Sequence, residues 1–322
     1  MSNTVSQFLD TFLSHVVQSP PMIDGKVKSE MPTLQAQPKY NFLFSIILVL
    51  FLLALNLSCQ NENVISSRIL GARLLHDEQE TQAYLEEFPK AQYKVYQIPG
   101  VGQFYLDEVK DVIKNRLRKG KVWEESVVAA LKEYVKPDTT VIDGGAYIGT
   151  HTVLMSKCVG KKGRVYAFEP QRKIYRELVY NLELNQIKNA VPLRFALGSD
   201  SRIVEMSPTR QGNEGGTRVG SGGDKVELRT IDSFGFRNVS LIKIDVEGYE
   251  KYVIEGARKT IQKYHPVLIV EIGGGVNYEK APRSIKARID RVKDKIVKLG
   301  YFLLKLDRHN YLAKPLNPGC AK

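Results

Sequence analysis

Cysteine is scarce in this chain of 322 residues, with three in all, at Cys59, Cys158 and Cys320. They lie far apart and are odd in number, so no disulfide framework is implied. No C-x-x-C or H-x-x-x-H spacing builds a zinc site, and no metal is assigned from such motifs. Tryptophan occurs once, at Trp123. No basic run is interleaved with aromatic residues in the way single-strand binders need, so nucleic acid is not expected as a partner. The tight G-x-G-x-x-G repeat that grips a dinucleotide pyrophosphate is also missing, and no internal repeat is found.

Acidic residues are too few to balance the basic ones, which leaves a formal net charge of +12. The excess is uneven. Residues 1–58 hold Lys26, Lys28 and Lys39 against Asp10, Asp24 and Glu30 and sum to zero. All of the surplus follows an apolar run, where a basic surface suits anionic partners or is simply solvated.

That run, residues 40–59, carries no charge and is apolar on every side. Its length of about 20 residues gives roughly 30 Å of helix, enough for one bilayer crossing. About forty residues precede it and no clear small-x-small cleavage site follows, so a signal anchor is expected rather than a cleaved signal peptide. Lysines before the span slightly outweigh the arginines after it. This favours a cytoplasmic N-terminus and a lumenal or extracytoplasmic catalytic domain. Residues 1–39, rich in Ser, Thr, Gln and Pro, read as a disordered tail. Residues 60–100 read as a stalk or N-terminal extension, 101–316 as the folded domain, and 317–322 as a tail.

From residue 140 strands and helices alternate. Strands are predicted at 140–143, 164–169, 191–197, 203–207, 225–229, 240–246 and 266–272. Helices are predicted at 149–158, 173–185, 249–263 and 284–299, and 301–306 with 310–313 closes as a hairpin. Such alternation predicts an α/β fold with a mostly parallel sheet covered on both faces.

The chemistry collects at strand ends. Asp143-Gly144-Gly145-Ala146-Tyr147-Ile148-Gly149-Thr150 is a strand end, a glycine turn and a helix start, spaced D-x-G-x-x-x-G. An acid at this turn repels pyrophosphate but tolerates a cationic, phosphate-free cofactor such as S-adenosylmethionine. About 20–25 residues on, Glu169-Pro170 ends the second strand, where a carboxylate can accept both hydroxyls of a ribose diol. Asp245-Val246-Glu247-Gly248 ends a central strand. Its two acids suit holding an amino group, accepting a proton or sharing a metal, with helix capping as the alternative. Glu271 ends the next strand. The segment 212–218, rich in glycine, reads either as a lid loop or as a bare hairpin turn.

Together these residues resemble the FkbM-type methyltransferase family. The resemblance runs over residues 105–315 and rests on Phe104-Tyr105-Leu106-Asp107-Glu108, Trp123-Glu124, the glycine turn, Ala167-Phe168-Glu169-Pro170, Asn181-Leu182-Glu183-Leu184-Asn185, Leu228-Arg229-Thr230-Ile231-Asp232-Ser233 and Lys243-Ile244-Asp245-Val246-Glu247-Gly248-Tyr249-Glu250. It implies a Rossmann-like class I methyltransferase with a seven-stranded sheet and a C-terminal antiparallel hairpin. It further implies S-adenosylmethionine-dependent O-methylation, often of a sugar hydroxyl on a glycan or glycolipid. By carry-over Asp143, Gly145 and Gly149 hold the methionine end and Glu169 the ribose, with Gly144, Thr150, Pro170 and Asp245 also counted among the cofactor-binding residues. Ala196 and Leu197 lie near the adenine, while Asp245 and Glu247 face the transfer centre. Asp245 is the expected base, with Glu247 and His151 behind it, and packing in the first helix is the alternative for His151. The pattern departs at Gly144, usually branched and apolar, and at Tyr147, usually Asn. Methylation of a lipid, protein or nucleic acid, and a non-catalytic binding protein with a relict pocket, are the rival functions.

Overall fold

The computed structural model describes residues 89–209, 212–273, 276 and 278–316. The span at 40–59 and the predicted tails lie outside them. Among the described residues no helix is long and apolar enough to cross a membrane.

The described chain begins with an antiparallel hairpin, β1 (Lys94–Ile98) and β2 (Gly102–Leu106), then α1 (Val112–Arg118) and α2 (Glu125–Tyr134). The strand β1 lies ahead of residue 101, and its mostly exposed residues give it little hydrophobic signal. The alternating part follows as β3 (Thr140–Gly144), α3 (Thr150–Val159), β4 (Arg164–Phe168), α4 (Arg172–Leu184) and β5 (Ala190–Leu193). Four short strands come next, β6 (Ala196–Leu197), β7 (Arg202–Met206), β8 (Val219–Gly220) and β9 (Lys225–Arg229). The chain ends in β10 (Val239–Ile244), α5 (Glu250–Gly256), α6 (Arg258–Tyr264), β11 (Val267–Glu271), α7 (Arg283–Lys298), β12 (Tyr301–Lys305) and β13 (Asn310–Pro315).

The main sheet has seven strands in the order β12-β13-β11-β10-β3-β4-β5. The strands from β5 to β11 pair in parallel, and β13 runs antiparallel between β11 and β12. Consecutive strand residues point to opposite faces, so Val141, Val165 and Leu241 enter one core while Ile142, Phe168 and Ile242 enter the other. Both faces are therefore apolar, as expected for parallel strands flanked by helices.

Two predicted elements are divided. The strand read at 191–197 stops at Leu193, where the Phe195 N–H turns back to the Leu193 carbonyl at 3.0 Å. Ala196 and Leu197 then pair with Leu228 and Arg229 in the second, four-stranded sheet. The helix read at 249–263 breaks between Gly256 and Ala257. A Cβ at Gly256 would sit 1.9 Å from the Gly198 carbonyl oxygen, so the two segments approach as only glycine permits.

A buried ionic cluster fastens the second sheet's connection to the core. Asp107, Glu177 and Glu214 are bridged by Lys114 at 2.6–2.9 Å and again by Lys173 at 2.6–2.8 Å. Two ammoniums already fill what would otherwise be a three-carboxylate cation site. Asp111 adds to the clamp. Its carboxylate accepts from the backbone N–H of Lys114, which caps α1, and from that of Glu214, each at 2.8 Å.

Candidate active site

The chain leaves β3 toward β4 on one side of the sheet and enters β10 and β11 on the other. A crevice opens at such a reversal, beyond the carboxyl ends of the strands. Here it is a cavity of about 360 Å³.

The glycine turn forms one wall. Gly145 and Ala146 donate their N–H groups to the Phe168 carbonyl at 3.0 and 2.9 Å, binding the turn to the end of β4. Gly145 has φ of +80°, and a Cβ there would stand 1.7 Å from the Asp245 carbonyl oxygen. Tyr147 has φ of +51°, a conformation in which Asn is enriched and a bulky residue is strained. Its N–H donates to Glu169 at 3.0 Å and its hydroxyl to Asp111 at 3.1 Å, so both ends are held. The departure at Tyr147 thus ties the turn to the clamp at α1. Glu169 also accepts from the Gln171 N–H at 2.9 Å. Burial pushes its carboxyl up to about 7.

Carboxylates form the other wall. Asp245, Glu247 and Glu271 bring oxygens within 4.8 Å of one another, a spacing able to share protons or hold a cation. Burial and then the charges of Asp245 and Glu247 push Glu271 up to about 10. Glu124, in a left-handed conformation at φ of +49°, lines the same wall. Burial and then Asp245 push it up to about 7. Behind them Lys243 is 4% exposed and reaches the Gly145 carbonyl at 3.1 Å, Asp245 at 3.2 Å and Asp143 at 3.4 Å. Burial disfavours its charge, yet Asp245, Asp143 and Glu124 hold the ammonium above its ordinary range.

The cavity gathers Gly145, Glu169, Pro170, Ala196, Leu197, Asp245 and Glu247 among the residues expected from sequence. Asp143, Gly144, Gly149, Thr150 and His151 are not on its surface. Asp143 is fully buried, accepting from the Thr152 hydroxyl at 2.7 Å and facing Lys243, so it braces the turn from below. His151 packs behind Glu124, its Nε2 3.8 Å from that carboxylate. Burial and then Lys243 push it down to about 3, which keeps it neutral. Capping does not explain Asp245 or Glu247, because the residue before α5 is Tyr249 and no side chain caps it. The segment 212–218 contributes Asn213, Gly215 and Thr217 to the cavity lining. Sequence reading gave no role to Lys243, Glu124 or His309. The one available signal was a lysine inside an otherwise apolar strand, Leu241-Ile242-Lys243-Ile244.

The Methyltransferase FkbM domain description matches residues 143–307, about half of the chain. The chain belongs to the FkbM methyltransferase family. It is similar to hexuronic acid methyltransferase AglP of Haloferax volcanii, 29% identical over 197 residues, which cover 59% of this chain and 77% of that protein. Among solved structures it is similar to methyltransferase FkbM from Methylobacillus flagellatus KT, at 19% identity and a TM-score of 0.40. That match covers 63% of this chain and 52% of the other, so this chain spans about half the length of that relative. It is also similar to Aeropyrum pernix fibrillarin with natively bound S-adenosyl-L-methionine, at 16% identity, a TM-score of 0.37, and coverage of 69% and 81%.

This FkbM chain is an S-adenosylmethionine-dependent methyltransferase. Its cavity fits that cofactor by its donor set. Glu169 would offer a carboxylate to a ribose diol, and Phe168, Ala196, Leu197 and Val246 in the lining would give a purine apolar contacts. No lysine or arginine lines the cavity among the described residues, so it offers a pyrophosphate no side-chain cation. When bound, the cofactor supplies an electrophilic methyl group on a cationic sulfur. The chain must then align an acceptor with it and take up the acceptor's proton. Asp245, Glu247 and Glu124 line the cavity with carboxylates able to take it up.

Glu169 gives a pH test. Its folded value near 7 lies above the unfolded 4.5, so the protonated carboxyl favours folding, and that stability is lost as pH rises from 4.5 through 7. In Glu169→Gln the loss disappears. Between pH 5 and 8 the unliganded variant should gain stability relative to the wild type, approaching about 3 kcal/mol. Urea unfolding at several pH values measures this, and parallel stability curves would contradict it.

Proposed function

We propose that this methyltransferase transfers a methyl group to a sugar hydroxyl of a glycan or glycolipid, anchored to a membrane by residues 40–59. The relative named as a hexuronic acid methyltransferase supports a sugar acceptor. The wall that carries the reading joins Trp123 to Glu124, Asp245, Glu247 and Glu271 in one cavity. An indole offers an apolar face to a pyranose ring, and carboxylates accept hydroxyl protons. Lipid tails would meet too many charged groups here. A nucleic-acid backbone would find no lysine or arginine among the described lining residues to neutralise it. The charge-free run at 40–59 supports the anchor, and the lysines ahead of it support a lumenal or extracytoplasmic catalytic domain.

The test is mass spectrometry of released glycans from cells with and without the protein. A methylated sugar, heavier by one methylene, should vanish on deletion and return with the wild-type chain but not with Asp245→Asn. Identical glycan profiles would refute the sugar reading.

A further inference from the structure

The two carboxylate oxygens of Glu169 are held by two backbone donors, the Tyr147 N–H at 3.0 Å and the Gln171 N–H at 2.9 Å. The side chains of those same two residues meet again at a single residue, Glu214. The Gln171 amide donates to the Glu214 carbonyl at 3.1 Å. The Tyr147 hydroxyl donates to one oxygen of the buried Asp111, whose other oxygen accepts the Glu214 N–H at 2.8 Å. Two hydrogen-bonded routes therefore run from the carboxylate that would receive a ribose diol to the middle of segment 212–217. The neighbours of Glu214 in that segment, Asn213 and Gly215, line the cavity with Thr217. The Tyr147 ring lies against Gly215, where an added Cβ would meet it at 3.5 Å. At φ of +51° a tyrosine is strained, and its bonds at both ends hold it there.

We infer that Tyr147 and Gln171 are positioning residues that couple cofactor binding at Glu169 to the order of segment 212–217. The inference rests on Glu169 as the ribose acceptor and is independent of the sugar reading. Burial pushes the Glu169 carboxyl up to about 7. Ribose hydroxyls that donate to it favour its charged form. Charge-assisted hydrogen bonds are shorter and stronger than neutral ones, so both backbone donors are then gripped more firmly. Their side chains carry that grip to the carbonyl and the N–H of Glu214. The coupling is reciprocal, so whatever orders the segment also tightens cofactor binding by the same factor.

The experiment is amide hydrogen exchange of the purified full chain, followed in the peptide that spans 212–217, with and without S-adenosylmethionine. Calorimetry run beside it fixes how much of the protein holds cofactor. Tyr147→Phe removes only the hydroxyl and Gln171→Ala only the side-chain amide, so each variant keeps its N–H on Glu169. Cofactor should slow exchange in the segment about tenfold in the wild type. At equal cofactor occupancy the slowing should fall to about threefold or less in each variant and vanish when the two are combined. A wild type that binds cofactor without slowing exchange in the segment overturns the inference. Slowing of wild-type size in both variants overturns it as well, because the cofactor would then order the segment by touching it. So does exchange that rises by one factor with and without cofactor, the mark of a merely structural role. Loss of cofactor binding in both single variants also overturns it, since neither removes a donor to Glu169. A wild type that binds no cofactor removes the cofactor assignment and the inference together.

Discussion

Asp245→Asn should lower methyl transfer by about 10²- to 10⁴-fold while leaving S-adenosylmethionine affinity within a few-fold. The residue ends β10 at the switch point of the sheet. Its backbone N–H donates to the Gly144 carbonyl at 2.9 Å, a contact the asparagine keeps. What the asparagine loses is the capacity to take a proton from a hydroxyl, a poor nucleophile near neutral pH. Lys243 retains Asp143 as an ionic partner, so the fold should survive. Glu124 is the natural comparison, because its value near 7 is well placed for a base. A deeper loss in Glu124→Gln than in Asp245→Asn would move the base to Glu124. Wild-type turnover in Asp245→Asn would remove Asp245 from the role. Single-turnover rates beside calorimetric cofactor titration separate chemistry from binding.

Gly145→Ala should abolish cofactor binding and destabilise the domain by roughly 4 kcal/mol or more. Two effects combine at this position. The backbone sits at φ of +80°, which L-residues adopt at a cost, and the new methyl would stand 1.7 Å from the Asp245 carbonyl oxygen. That oxygen belongs to the backbone, so relief would separate the ends of β3 and β10 and open the crevice between them. Gly235 provides the control. It is in the left-handed region at φ of +63° and ψ of 31°, with nothing within 4 Å of the added carbon. Gly235→Ala should therefore cost only the conformational part, about 1–2 kcal/mol, and keep cofactor binding. Thermal unfolding and calorimetry of the two variants test this. Equal effects at both sites would show that the close approach to Asp245 is unimportant.

Much of the fold was legible because the information is local. Alternating apolar runs and helical spacings give β3 to β5 and β10 to β13, and acids at strand ends need only chain order to be found. Asp245, Glu247, Glu169 and Gly145 accordingly meet in one cavity. Features that depend on distant contacts were hidden. The long helix breaks after Gly256, where Gly198 passes against it. Ala196 and Leu197 leave the main sheet because β9 offers them a partner. Asp143 looked like a ligand-facing acid, but Lys243 lies beside it in register on β10 and draws its carboxylate inward. Glu124 precedes α2, far from the glycine turn in sequence, and joins the site only when α2 packs beside α3. The pairing of Lys114 with Asp107, Glu177 and Glu214 likewise joins segments whose separate sequences show no sign of one another.

Transfer of a methyl group from S-adenosylmethionine to a sugar oxygen in this cavity, as proposed, would leave a traceable product. The most direct measurement is transfer of an isotopically labelled methyl group by the purified chain to a mixed extract of glycans, lipids, protein and RNA. Each class is then separated and the labelled atom located by NMR. Label is expected in a methyl ether on a sugar ring, absent with Asp245→Asn. Label confined to protein, lipid or RNA would contradict it, as would label in a sugar when the Asp245→Asn variant is equally active.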